Sequence, residues 1–222
     1  MDKKEEKLDW FLWNLPTTPL LKCDLNESVM TYLWSIIDTA KEENKNSNKQ
    51  LAGNISESLY LRDIDDYFFN SVLKDVGKQY VQEHNKVPCF RNSLGGYYIS
   101  DLYLKEFWVN FSKQHEFNPL HDHSGVLSFV IWMDIPTKFE EQHNMPFSKG
   151  SALPSASDFQ MTYIDVTGSP RAHTIQMDPS LNGTMILFPS TMPHQVYPFY
   201  DCEKERVSIS GNLYYNGTFD KE

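Results

Sequence analysis

Residues 118–134, NPLHDHSGVLSFVIWMD, join a short polar segment to a long apolar one. Turn residues separate the two, and the β-branched and aromatic side chains of Val126–Asp134 predict a strand. If the polar segment is also extended, residues two apart project to one face, so His121 and His123 lie together and Asp122 points away. Two imidazoles on one face can chelate a metal ion, although two ordinary loop histidines give the same pattern.

Similar short runs of β-branched and aromatic residues extend on both sides of this stretch, separated by turn residues. No internal repeat and no linker divides them. Many short strands at this spacing predict a mainly β domain built as a sandwich, jelly roll or barrel. The candidate strands are Tyr97–Ser100, Leu102–Lys113, Val126–Asp134, Phe159–Asp165, Thr174–Met177, Thr184–Phe188, Gln195–Tyr197 and Arg206–Tyr215.

Two helices are predicted before the strands. The first begins at a capping Asn26 or Ser28 and runs to about Glu43, and the second runs roughly from Asp65 to Asn85. Both carry apolar residues at helical spacing, which is typical of core packing.

The polar tract Lys41–Gln50 between the helices is predicted to be a solvated loop. We expect a single domain over residues 1–222. Residues 1–95 form an N-terminal arm and supporting helices that pack on one outer face, and residues 96–216 form the β core.

The formal net charge is −10. An acidic surface argues against sequence-independent binding to nucleic acid and against docking on anionic lipid, since both need clustered Lys and Arg. No segment approaches the roughly 20 apolar residues of a membrane helix. The three cysteines, Cys23, Cys89 and Cys202, are far apart and form no CxxC motif. This favours a reducing, cytoplasmic location over a disulfide framework.

A third histidine, His194, follows the predicted strand Thr184–Phe188 and a turn bracketed by Pro189 and Pro193. This places it at the start of the next strand. It can complete a metal site with the earlier pair, since His is the commonest metal ligand, or it can be an ordinary turn histidine.

In the last strand, Arg206, Ser208 and Ser210 share one face, while Val207 and Ile209 share the other. An arginine inside a barrel is costly unless an anion pairs with it. A carboxylate of a small diacid would suit, because Arg can hold it through two parallel hydrogen bonds. The alternative is an edge strand whose polar face meets water.

Together these residues resemble the Fe(II)/2-oxoglutarate-dependent oxygenases, and in particular the prolyl-hydroxylase-like enzymes found in bacteriophages of marine bacteria. The resemblance covers about residues 95–215. It implies a double-stranded β-helix, which is a form of jelly roll, and the host cytoplasm if the chain is phage-encoded. The matching segments are Trp108–Asn110, Glu116–Gly125, Leu127–Trp132, Gly183–Ser190, His194–Tyr200 and Arg206–Asn212.

The resemblance puts the first iron ligand at His121 and the last at His194. Between them the family has a carboxylate in an H-x-D/E motif, where this chain has His123. Three alternatives follow. His123 binds iron in a three-histidine site, Asp122 binds through a distorted loop, or chloride or water takes the third position. We favour the three-histidine site.

By the same resemblance, Arg206 and Ser208 bind the distal carboxylate of 2-oxoglutarate, and Asn110 is a donor in the pocket. The implied activity is an Fe(II)-dependent hydroxylation of a C–H bond, in which O2 and 2-oxoglutarate are consumed and succinate and CO2 are formed. The substrate is a prolyl or other residue of a peptide or protein, or a small molecule. The alternatives are a cupin-like three-histidine metalloenzyme that does not use 2-oxoglutarate, and a non-catalytic viral jelly-roll binding or structural protein.

Overall fold

The computed structural model describes residues 20–86 and 102–215. The predicted strand Tyr97–Ser100 and most of the N-terminal arm lie outside these residues. No helix within them is long and apolar enough to cross a membrane. The helices are α1 (Glu27–Glu43), α2 (Lys74–Lys86) and α3 (Phe139–His143). The strands are β1 (Leu21–Asp24), β2 (Glu57–Tyr60), β3 (Leu102–Ser112), β4 (Asn118–His121), β5 (Leu127–Asp134), β6 (Phe159–Ile164), β7 (Pro170–Ile175), β8 (Thr184–Pro189), β9 (His194–Val196) and β10 (Arg206–Tyr215).

These strands form two antiparallel sheets. The first has six strands in the order β1-β8-β5-β10-β3-β2, and the second has four in the order β4-β9-β6-β7. Side chains of both sheets meet in one buried cluster, so the sheets pack face to face. The predicted jelly roll is therefore confirmed.

Strand β5 shows why the layers stack in this way. Its residues from Leu127 to Met133 are all buried. Phe129 and Ile131 belong to the core shared with the helices, whereas Val130 and Trp132 belong to the core between the sheets. A strand covered on both faces has a nearly continuous apolar sequence, and in this one Ser128 is the one polar residue between Leu127 and Met133. The helices thus cover one outer face, as predicted.

Asparagine residues define both ends of helix α1. The side chain of Asn26 accepts a hydrogen bond from the backbone N–H of Val29 at 3.0 Å, which confirms an N-cap at this position. Asn44 ends the helix in the left-handed conformation, with φ of 50°. The buried stripe consists of Val29, Leu33, Ile36, Ile37 and Ala40.

The second helix does not begin at Asp65 as predicted. Asp65 and Asp66 both have positive φ, at 53° and 52°, which breaks the helical path. The Asp63 carboxylate instead accepts hydrogen bonds from the backbone N–H groups of Phe68, at 2.9 Å, and Phe69, at 2.8 Å. Asp63 therefore satisfies the donors at the true start, and a π-helical turn precedes the regular part of α2.

The expectation that Lys41–Gln50 is a solvated loop is wrong at Ser47 and Asn48, whereas the other residues of the tract are exposed. Ser47 is only 1% exposed. The Asn48 side chain accepts from the Ser58 backbone N–H at 2.8 Å and donates to the Ile55 carbonyl. The tract therefore anchors β2.

The segment before residue 95 also supplies both edge strands of the larger sheet, which the sequence did not predict.

Gly211 marks the tightest backbone packing in this sheet. A Cβ at this position would lie 2.6 Å from Cζ of Phe129 and 2.7 Å from the Glu106 carbonyl oxygen. We expect Gly211→Ala to lower the free energy of unfolding by about 1–3 kcal/mol, measured by urea denaturation. In Gly150→Ala, the matched control, the new Cβ meets nothing within 4 Å. Equal losses in both variants would contradict the packing argument.

Candidate metal centre

Strands β4 and β9 bring three histidines together. His121 at the end of β4 pairs with His194 at the start of β9, and the His123 backbone N–H donates to the Ser190 carbonyl at 2.9 Å. One ring nitrogen from each histidine lies within 4.8 Å of the other two. Among the described residues, no carboxylate belongs to this group. Asp122 is exposed and lines a neighbouring groove.

The hydrogen bonds of two of these rings set their tautomers. Nδ1 of His121 lies 2.7 Å from the Pro119 carbonyl oxygen, and Nδ1 of His194 lies 3.0 Å from that of Met192. A carbonyl only accepts, so Nδ1 carries the proton and Nε2 keeps a lone pair for a metal. Burial lowers the pKa of His123 to about 4 and that of His194 to about 3, so both rings are neutral at pH 7.

Aromatic side chains surround the cluster. Phe159 stacks on His194 at 5.6 Å between ring centroids, and Phe188 meets the same ring edge-on at 5.0 Å. The Trp108 ring lies 5.7 Å from that of His123. Sequence analysis placed Phe159 in a strand but did not predict its contact with His194. These aromatic contacts bury His194, while His121 and His123 remain partly exposed.

The three histidines share one cavity with the polar face of β10. Arg206, Ser208 and Ser210 line this cavity, while Val207 and Ile209 lie in the core under the helices. The predicted alternation is confirmed. The alternative of a water-facing edge strand is wrong, because β10 pairs with β5 on one side and β3 on the other.

Arg206 is a buried cation, with only 4% of its surface exposed. Its guanidinium donates to the carbonyl oxygens of Ser157, at 2.8 Å, and Tyr197, at 3.3 Å, and lies 5.2 Å from the centre of the Phe199 ring. Burial lowers the pKa of Arg206 to about 10, and the carboxylate of Asp158 opposes that shift. The side chain therefore stays charged at pH 7 and is held at the cavity wall.

Asp158 and His143 form a buried pair behind Arg206 that sequence reasoning missed. His143 Nε2 lies 2.9 Å from one oxygen of Asp158, whose side chain is 0% exposed. The other carboxylate oxygen has no hydrogen-bond partner among the described residues. Burial raises the pKa of this carboxyl, while His143 and Arg206 oppose the rise. The Asp158 carboxyl in turn favours the charged form of the Arg206 guanidinium.

Asn110 lies on β3 directly opposite Ser208 and lines the same cavity. Its side-chain oxygen accepts a hydrogen bond from the Ser58 hydroxyl at 2.7 Å, and both residues are buried. Because the oxygen is engaged, the amide nitrogen of Asn110 is the atom left to donate into the cavity. Ser58 comes from β2 and belongs to no motif that sequence analysis could have detected.

Sequence comparison supports the superfamily that the motifs indicated. Residues 106–212, slightly less than half of the chain, match the family described as "Putative 2OG-Fe(II) oxygenase". No curated protein matches the chain. The family match implies Fe(II), 2-oxoglutarate and O2, together with a substrate to be oxidised.

Solved structures of similar architecture include two prolyl hydroxylases. One is from Trichoplax adhaerens, in complex with a peptide fragment of the hypoxia inducible factor oxygen degradation domain. Its TM-score is 0.54 at 15% identity, over 90% of this chain and 84% of that chain. The other is a prolyl-4-hydroxylase from Pseudomonas putida, with a TM-score of 0.47 at 14% identity, over 90% and 95%. At 15% identity, the likeness to the Trichoplax enzyme concerns the jelly-roll fold alone.

The donor set present in the chain fits an iron site. All three histidines offer imidazole nitrogens as ligands, and imidazole suits iron. The carbonyl hydrogen bonds to two of the rings are the outer contacts that commonly orient metal-bound histidines.

The electrostatic coupling of Asp158 to Arg206 can be measured by a double-mutant cycle. We expect Asp158→Asn and Arg206→Met each to destabilise the fold, and the double variant to lose about 1–3 kcal/mol less than their sum in urea unfolding. The exposed ion pair of Asp165 and Arg171, at 2.7 Å, is the control, and its coupling should stay below about 1 kcal/mol. Additive losses at Asp158 and Arg206 would contradict the pairing.

Proposed function

We propose that this chain is an Fe(II)- and 2-oxoglutarate-dependent oxygenase that hydroxylates a C–H bond of its substrate. One observation carries the proposal. Three histidine ring nitrogens and a buried, charged arginine line a single cavity. A metal site and an anion site in one cavity are what a metal-chelating dicarboxylate requires.

In this proposal His121, His123 and His194 hold the iron. When bound, Fe(II) supplies the redox chemistry by which O2 and 2-oxoglutarate oxidise a C–H bond, with succinate and CO2 as co-products. Burial keeps His123 and His194 neutral at pH 7, and backbone carbonyls orient the rings of His121 and His194 with Nε2 free for the metal.

Arg206 and Ser208 bind the distal carboxylate of 2-oxoglutarate. Two contacts of the guanidinium go to backbone carbonyls, which leaves N–H groups for the co-substrate. Asn110 adds a donor from the opposite strand, and the Ser58 hydroxyl keeps its amide in the donating orientation. The surrounding apolar side chains exclude water from the reacting groups.

A peptide or protein is the substrate that we favour. The Trichoplax prolyl hydroxylase was solved with a peptide fragment. In the present chain, a groove beside the histidine cluster provides room for a substrate outside the co-substrate cavity.

Anaerobic addition of Fe(II) and 2-oxoglutarate tests the proposal through the visible charge-transfer band of the chelate. We expect a band in the wild type that disappears in His123→Ala, because a ligand is lost. In Arg206→Met the band should require a higher 2-oxoglutarate concentration, because the carboxylate loses its cation. The control is His173→Ala, which alters an exposed histidine of β7.

Each outcome of this titration bears on a separate part of the assignment. A band that survives in His123→Ala with wild-type intensity would exclude His123 as a ligand. A wild type that binds Fe(II) and shows no band would contradict 2-oxoglutarate as co-substrate. Circular dichroism of each variant verifies that the fold is intact.

Ser58 provides a test of how Asn110 is positioned. We expect Ser58→Ala to raise the 2-oxoglutarate concentration for half-saturation about fivefold, the equivalent of one ordinary hydrogen bond, with little change in kcat. Ser58→Thr keeps a hydroxyl and should restore binding. In an Asn110→Ala background Ser58→Ala should add little, whereas a full additional loss would mean that Ser58 does not act through Asn110.

A further inference from the structure

A second cavity adjoins the first and shares lining residues with it. Leu51, Trp108 and His123 line both the cavity of the histidine cluster and a groove of about 190 Å³ beside it. The groove reaches the surface, since Tyr60 on its wall is 40% exposed and Asp122 is also exposed. It is therefore an accessible space next to the proposed metal, distinct from the place where Arg206 and Ser208 lie.

The charges on this groove all have one sign. Two carboxylates line it, those of Glu106 and Asp122, and no Lys or Arg is found among its described lining residues. This is the reverse of the neighbouring cavity, where Arg206 supplies a positive charge. An anionic co-substrate and a cationic group would therefore be sorted into different halves of the site.

The Glu106 carboxylate is held in place rather than free to rotate. It accepts hydrogen bonds from the Asn212 side chain and from the Tyr214 hydroxyl. A carboxylate has about four acceptor positions, so Glu106 keeps capacity for a further donor. A fixed acceptor of this kind costs little side-chain entropy when a cation binds.

Ser47 supplies an independent sign that a donor belongs in the groove. It lines the groove, is only 1% exposed, and its hydroxyl oxygen has no hydrogen-bond partner among the described residues. A buried hydroxyl without a partner is costly and calls for an explanation. An N–H group of a bound ligand would satisfy it.

We propose that this groove binds a cationic group of the substrate, an alkylammonium or a guanidinium, through Glu106, Asp122 and Ser47. The aromatic side chains of Tyr60 and Trp108 add faces on which such a cation can lie. The inference rests on the proposed oxygenase function, because the cation then places a neighbouring C–H bond of the substrate beside the histidine cluster. Peptides with Lys or Arg and small free amines share this chemistry.

Binding measured without iron separates this inference from the oxygenase proposal. The probes are acetylated and amidated Gly-Lys-Gly and Gly-Arg-Gly, their neutral counterparts with norleucine and citrulline, and free butylammonium and butylguanidinium. Saturation-transfer NMR and titration at low salt give the dissociation constants. We expect the cationic probes to bind, the neutral ones to bind at least about fivefold more weakly, and added salt to weaken binding.

The variant Glu106→Gln/Asp122→Asn should weaken cation binding about five- to tenfold. Glu140→Gln/Glu141→Gln removes the same two charges from the exposed face of α3 and is the matched control. Tighter binding of the peptides than of the free cations identifies a peptide side chain as the source, and the reverse identifies a small amine. Equal binding of neutral and cationic probes, or equal losses in both double variants, would overturn the proposal.

Succinate formation with iron, 2-oxoglutarate and each peptide completes the test. Stimulation by the cationic peptides and not by their neutral counterparts is the expected result. If the cations bind but the wild type shows no co-substrate chelate, the oxygenase proposal fails and the cation site remains. If the chelate forms and the cations do not bind, the oxygenase proposal remains and this inference fails.

Discussion

The buried charge of Arg206 is the constraint around which this half of the molecule is organised. Removing a guanidinium from water costs several kcal/mol unless nearby groups compensate for the lost hydration. Here the compensation comes from separate parts of the chain: the Ser157 carbonyl before β6, the Tyr197 carbonyl after β9, and the Asp158 carboxylate. The connection between β5 and β6 is thereby tied to the sheet, although it contains only one short helix. The buried guanidinium of Arg206 therefore holds the segments before β6 and after β9 against β10.

The contacts of Arg206 also help to set the geometry of the cavity. His194 and Tyr197 are three residues apart, so one short segment carries a histidine of the cluster and a carbonyl that holds Arg206. On the other wall, the register of β3 with β10 places Asn110 opposite Ser208. Strand pairing therefore holds two histidines of the cluster, together with Asn110 and Ser208 on the other wall. A site built on strands holds its groups more accurately than one built on loops.

The features that the sequence predicted are those that depend on local periodicity. Residues two apart on a strand share a face, so the grouping of Arg206 with Ser208 followed directly from the sequence. The capping of α1 by Asn26 was equally local. Ser58 and Asp63 were missed because their partners lie far along the chain or are backbone groups, and neither contact leaves a pattern in the sequence. The edge strands β1 and β2 were missed because four residues are too few to show a clear alternation.

The histidine cluster and the acidic groove both depend on the order of two neighbouring residues, Asp122 and His123. In the H-x-D/E motif that this chain resembles, the carboxylate that binds the metal stands two residues after the first histidine. Here His123 faces the cluster, and the neighbouring Asp122 faces the groove. Asp122 lies just beyond the end of β4, and its negative charge lines the groove and not the histidine cavity. An iron held by three neutral ligands retains its full positive charge, which favours anionic co-substrates in the cavity. The Asp122 carboxylate would act in the opposite sense in the groove, where the ligand that we propose is a cation.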